Sequence, residues 1–191
     1  MKNLISHLKQ YQPKLEQERV DQQTIITFLS HNADALERTN TIAHVTTSTI
    51  VVNPAMDRVV FGFHNIYQSW GWIGGHNDGD DDCHHVALKE TMEETGLTRL
   101  TFYSKDIFML DVIYVPFHLK NGKHVSDHLH LNITYLLIAD EQERLVHTEE
   151  EHQGMQWFAI KDVLKMVKEP RMIPIYQKAF AKIMLIKEHR S

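Results

Sequence analysis

The chain has 191 residues, enough for one well-buried domain or one domain with a short extension, and too few for several. Hydrophobic residues make up 42% and charged residues 24%, no apolar run approaches the roughly 18 residues of a membrane span, and the start of the chain, Met1 to His7, lacks the apolar stretch of a secretory signal, so a cytoplasmic, non-membrane protein is expected. The single Cys83 excludes an intramolecular disulfide scaffold and a cysteine-based zinc site, and 20 basic against 25 acidic residues, net −5, give no electrostatic reason to expect a nucleic-acid polymer as partner.

Residues 1 to about 40 read as helical. Leu4, Ile5 and Leu8 recur at helical spacing, Pro13 interrupts, and a second amphipathic stretch runs from about Lys14 to Leu29. From Thr46 the pattern turns β-branched, with a strand at 49–52 closed by Asn53 and Pro54 and another at 58–63. Gly71, Gly74, Gly75 and Gly79 then predict a loop of unusual torsions leading into a helix from about Asp82 to Thr95, stopped by Gly96. Strands over 107–119 and about 125–139 are joined through Asn121 and Gly122, a pair suited to a tight hairpin. A short strand at 155–160, a helical turn, and a last amphipathic helix with Tyr176, Ala179, Phe180, Ile183 and Met184 inward complete the chain. The composite is an α/β fold, a mixed sheet with helices on both faces, preceded by a helical arm.

Charge is the most local feature of the sequence. Asp78, Asp80, Asp81, Asp82, Glu90, Glu93 and Glu94, offset by Lys89 alone, give residues 78–94 a charge of −6, so the rest of the chain sums to +1. Like charges this close repel unless something compensates them; a bound cation is one answer and a solvated acidic surface the other. At about 100° per residue, Glu90, Glu93 and Glu94 share an arc of roughly 100° and span about 6 Å of helix axis, close enough to serve one or two metal ions. Leu88, Met92 and Thr95 fall opposite and are expected to face the core. Oxygen-only ligands select hard cations, so Mg2+ or Mn2+ is the expected occupant, and its natural work is hydrolysis of a phosphoanhydride.

Two other metal readings are open to test. A calcium loop opening at Asp78 fails at Cys83, where glycine is needed, and at Lys89, where glutamate is needed. A zinc site from His124, Asp127, His128 and His130 has in its favour that His128 and His130 share a strand face, but polar residues alternating with Leu129, Leu131 and Ile133 are also the ordinary pattern of a half-exposed strand.

The acidic helix and its approach resemble the Nudix box, G-x5-E-x7-R-E-U-x-E-E-x-G-U, with U a bulky aliphatic residue. Gly75 opens it, Asp81 stands at the first acid, Lys89 and Glu90 at the Arg-Glu pair, Thr91 at the first aliphatic, then Glu93, Glu94, Gly96 and Leu97. The spacing matches without a gap at nine positions over 23 residues, and the resemblance covers roughly Thr41 to Val167. It implies an α/β/α sandwich over residues 41–191, including the C-terminal helix, with 1–40 as a helical extension. Three positions depart: Asp81 is one methylene shorter than Glu, Lys89 supplies charge but not the planar fork of Arg, and Thr91 is polar.

What the resemblance implies is a Mg2+- or Mn2+-dependent hydrolase of a nucleoside diphosphate linked to another group. Glu90, Glu93 and Glu94, with Asp81, would be metal ligands, Glu90 or a residue of the Glu149, Glu150, Glu151 run the general base with Glu151 preferred, and Lys89 the holder of a neighbouring carboxylate. Gly75, Trp72, His128 and His130 are substrate-side candidates. Trp70 and Tyr67, like Trp72, could stack on a base, but aromatic residues at a strand end more often belong to the core. The alternative function is a regulatory module that binds a nucleotide or an ADP-ribose-like ligand without cleaving it, motivated by the altered Asp81, Lys89 and Thr91. An isoprenoid diphosphate isomerase, which also resembles the Nudix fold, would need a cysteine upstream of the box, and none is there. The partner expected is a small phosphoanhydride, and a homodimer is compatible with the N-terminal helices.

Overall fold

The computed structural model describes residues 1–120, 122–147 and 152–189. The chain divides into two compact units, one of Met1–Ser48, Gly74–Lys89 and Ser104–Tyr135, the other of Thr49–Ile73, Glu90–Tyr103 and Leu136–Ser191.

In the first unit, α1 (Lys2–Gln10) and α2 (Glu16–His31) bury Leu4, Leu8, Ile25 and Leu29. Fully buried Glu18 accepts from Tyr11 Oη at 2.7 Å and Lys14 N at 3.3 Å, closing the corner around Pro13. Strand β6 (Met109–Val115) pairs in this unit with the first part of β9 (His128–Ile138), antiparallel from Met109↔Thr134 to Val115↔His128. The outer edge of β6 is met by α2, where Asp21 Oδ2 accepts from Val112 N at 2.8 Å, so the helical extension covers strand groups that would otherwise be open to pairing. The expected hairpin at Gly122 is present, but as a separate ribbon of β7 (His118–Lys120) and β8 (Lys123–Val125). Pro116 interrupts one arm, and Asp127 Oδ1, accepting from Phe117 N at 2.9 Å, bends the other.

In the second unit the strand order β10-β2-β1-β9-β5 is built from the end of β1 (Ala43–Val52), β2 (Arg58–His64), β5 (Thr101–Phe102), the end of β9 and β10 (His152–Ala159), with β3 (Ser69–Gly71) added to β2. Backbone bonds from Leu129 N to Ile42 O and from Ala139 N to Val52 O advance together along β1 and β9, so these two are parallel among otherwise antiparallel pairs. The sheet is mixed, as expected. The turn α4 (Ile160–Val163), a 3-10 turn at Leu164–Met166 and α5 (Ile173–Glu188) follow. Helix α5 buries Tyr176, Ala179, Phe180 and Ile183, with Phe61 against Tyr176 at a ring separation of 4.9 Å. Met184, expected inward, is 59% exposed.

Two further expectations are corrected here. The glycine-rich stretch is not one loop: β3 and β4 (Ile73–His76) occupy most of it, with β4 paired to β1. Strand β9 is not half-exposed: residues 131–137 are all buried, as in strands covered on both faces. Its polar members are spoken for, Asn132 Oδ1 accepting from Thr46 Oγ1 and Ser48 Oγ at 2.8 Å each.

Candidate active site

The acidic box lies where β4 leads into α3 (Cys83–Thr95). Gly74, just before Gly75, has φ 150°, and a Cβ on it would sit 2.4 Å from Thr47 O, so the strand that opens the box runs against β1 closer than any side chain permits. Buried Asn77 then ties down the loop: Thr47 Oγ1 donates to its Oδ1 at 2.9 Å, and its Nδ2 donates to Asp80 O at 2.8 Å. Asp82 caps the helix, Oδ1 accepting from His84 N at 3.0 Å and His85 N at 3.2 Å, which satisfies donors the first turn leaves open. Gly96 ends it at φ 69° with its N–H on Met92 O at 2.9 Å.

The four aspartates of the acidic window each have a local partner. Arg38 Nε donates to Asp78 Oδ1 at 2.6 Å and holds that carboxyl below its ordinary range. His85 Nδ1 and Asp80 Oδ2 are 2.6 Å apart, with the same effect on Asp80. Asp81 accepts from the Met1 amino group, and Asp82 is the cap. Cys83 is buried, its thiol pushed up by burial and 3.4 Å from Asn77 Nδ2, which suits a packing role.

The glutamates differ in surroundings. Glu94 is 4% exposed, Glu90 half-buried and Glu93 exposed, as is Lys89. The covered face of α3 consists of Val86, Ala87, Thr91, Glu94 and Thr95, whereas Met92 is 44% exposed and Leu88 half-buried. The expected core face is therefore rotated: of Leu88, Met92 and Thr95, only Thr95 is buried. Hydroxyl pairing explains the rotation, with Thr91 Oγ1 2.8 Å from Thr49 Oγ1 on β1 in a buried contact. The polar residue at the aliphatic position of the box is thus matched by a polar residue on the strand it meets.

His152, at the start of β10, was invisible to pattern reading. Its Nε2 lies 3.5 Å from Glu94 Oε2, with both side chains about 95% buried, and burial takes the imidazole down to about 4, so it is neutral at neutral pH. Gly62 on β2 makes room for it, since a Cβ there would stand 2.4 Å from His152 Cδ2. Glu149, Glu150 and Glu151 lie outside the described residues. Trp72 N donates to Tyr176 Oη at 3.3 Å, and the two rings meet edge to face. Trp70 packs between Phe63 and Phe158, and Tyr67 against His64. The aromatic residues before the box therefore serve largely as packing. His128 and His130 point to one another, Nε2 to Nε2 3.2 Å, rather than lining an open strand face.

A family model described as the NUDIX domain matches residues 43–179, well over half of the chain. The chain belongs to the Nudix family. Its enzyme class is that of the Nudix-type pyrophosphohydrolases, which act on acid anhydrides. Solved structures share its fold. An Ap4A hydrolase from C. elegans is 18% identical, with 74% of this chain and 97% of that one covered at a TM-score of 0.55. A NUDIX-family hydrolase from Clostridium perfringens is 18% identical over 75% and 97% at 0.54, and a Nudix hydrolase from M. smegmatis is 15% identical over 75% and 87% at 0.54. At such identities the likeness shows the Nudix α/β fold. Curated protein sequences give no match. No helix among the described residues is long and apolar enough to cross a membrane.

Proposed function

We propose that this Nudix protein is a cytoplasmic, Mg2+- or Mn2+-dependent hydrolase of a small molecule in which a nucleoside diphosphate is linked to another group. The observation that carries the reading is the ungapped box on one capped helix, with the Glu94 carboxylate drawn onto its covered face. An all-oxygen donor set of this kind fits a hard divalent cation. Glu90, Glu93 and Glu94, with Asp81, would hold that cation, which when bound screens the diphosphate and acidifies a water. Lys89 steadies a neighbouring carboxylate, and His152 is a positioning residue for Glu94. Glu151 remains the preferred general base, taking a proton from the water as its oxygen bonds to phosphorus and the bridging oxygen departs with the leaving phosphate. Gly75 and Trp72 border the substrate, and residues 1–40 act as an extension of the catalytic domain.

The test is product release from a panel of nucleotides, sugar nucleotides and dinucleoside polyphosphates with Mg2+ or Mn2+. Ap4A belongs on the panel because one protein of this fold is an Ap4A hydrolase. Turnover abolished by Glu93→Gln and by Glu94→Gln is expected; a metal-independent turnover, or one untouched by both changes, would overturn the reading.

A further inference from the structure

Four histidines meet inside the first unit. His44 lies on β1, His76 ends β4, and His128 and His130 lie on β9. One nitrogen from each of His44, His76 and His130 can be chosen so that all three lie within 4.8 Å of one another. His128 Nε2 stands 3.2 Å from His130 Nε2, and its ring stacks on His44 with centroids 5.0 Å apart. Tetrahedral ligands about 2.0–2.1 Å from zinc are roughly 3.3–3.4 Å apart, close to that separation.

The protonation pattern supports more than packing. His44 Nδ1 is 2.9 Å from Asn40 O, and His128 Nδ1 is 2.8 Å from Ser126 O. A carbonyl only accepts, so both Nδ1 atoms carry the proton and both Nε2 atoms present a lone pair. His44 is 3% exposed, and its Nε2 is buried with no hydrogen-bond partner among the described residues. A lone pair left orphaned in a dry site is costly, and an imidazole whose other N–H rests on a backbone carbonyl is the usual setting of a metal-bound histidine.

We propose that His44, His76 and His130, with His128 beside them, form a binding site for a nitrogen-preferring divalent transition metal, zinc foremost, separate in its ligand chemistry from the oxygen donors of the Nudix box. Imidazole donors suit zinc, nickel and copper, while magnesium selects oxygen. An ion held there would staple β1, β4 and β9 together and fix the strand that opens the box. Of the zinc ligands considered from sequence, His128 and His130 are retained. Asp127 is engaged by Tyr114 and the Phe117 amide, and His124 packs against Phe117 with the rings tilted.

The experiment loads the metal-stripped full chain with Co2+ and then with Zn2+ against a chromophoric chelator. The unaltered protein is expected to give the intense visible bands of tetrahedral cobalt, to bind one zinc per chain with excess Mg2+ unable to displace it, and to melt higher with zinc. His44→Ala and His130→Ala should each weaken zinc at least about a hundredfold, beyond the 10–100-fold typical of losing an outer-shell partner, while His85→Gln, outside the cluster, leaves it intact. The weak spectrum of octahedral cobalt on the unaltered chain, displacement by Mg2+, or zinc binding indifferent to His44→Ala and His130→Ala would overturn the proposal. The cobalt arm needs no variant to fold, and none of these readouts depends on phosphoanhydride hydrolysis.

Discussion

Thr91 offers a test in which restoring the family's pattern should harm the protein. The Nudix box has a bulky aliphatic at this position, yet here Thr91 is fully buried and its Oγ1 lies 2.8 Å from that of Thr49, itself 1% exposed. Thr91→Val is nearly isosteric, so it opens little cavity, but it removes a hydrogen-bond partner from the buried Thr49 hydroxyl. Leaving one buried hydroxyl unsatisfied costs about 1–3 kcal/mol, and at about 2–4 °C per kcal/mol for a chain of this size the melting temperature should fall by several degrees. Thr49→Val alone should also destabilise. The double variant places two methyl groups against each other, and its stability should return to within about 1 kcal/mol of the parent, because replacing both partners is far cheaper than stranding one. Urea denaturation of the four proteins gives the coupling energy directly, expected at about 1 kcal/mol or more in favour of the matched pairs. Strict additivity, or a double variant worse than either single one, would refute the claim that this pair explains the departure from the aliphatic pattern.

Glycine contributes two contrasting positions. Gly96→Ala combines φ 69° with a methyl 2.0 Å from Val146 Cγ2, whereas Gly122→Ala has a similar φ of 73° and nothing within 4 Å; equilibrium unfolding should show about 1–2 kcal/mol lost at Gly122 and clearly more at Gly96. Gly62→Ala drives a methyl toward His152, so it should cost about 1–3 kcal/mol by overpacking, and the cost should vanish when His152→Ala is added. Glu143 accepts from Thr98 Oγ1 and N at 2.6 and 2.7 Å, which hold its carboxyl down to about 2. The stabilisation is present above the unfolded carboxyl's value near 4.5 and is lost as pH falls toward 2. Glu143→Gln should therefore flatten the stability profile across that acid window and leave its shape above pH 5 unchanged.

What the sequence disclosed and what it withheld divide along one physical line, the distance along the chain over which a signal acts. The strands of β1 and β2, the arm of α1 and α2, the Asp82 start and Gly96 stop of α3, and the box spacing from Gly75 to Leu97 are all written within a few residues of where they act, and a family match over residues 43–179 agrees with the box. The buried face of α3 was misread because counting apolar side chains presumes an apolar neighbour, and Thr91 answers to Thr49, 42 residues away. The partner of one acid in the charged window is hidden for the same reason: Asp78 is answered by Arg38, 40 residues earlier. His44 and His76 stand in separate strands and share no period with His128 and His130, so only strand pairing brings the four together. Half of that cluster could be nominated from β9 alone, and the half that supplies the orphaned nitrogen could not. Local rules thus located the acidic helix of the box, while the chemistry that depends on which strands are neighbours had to come from the fold.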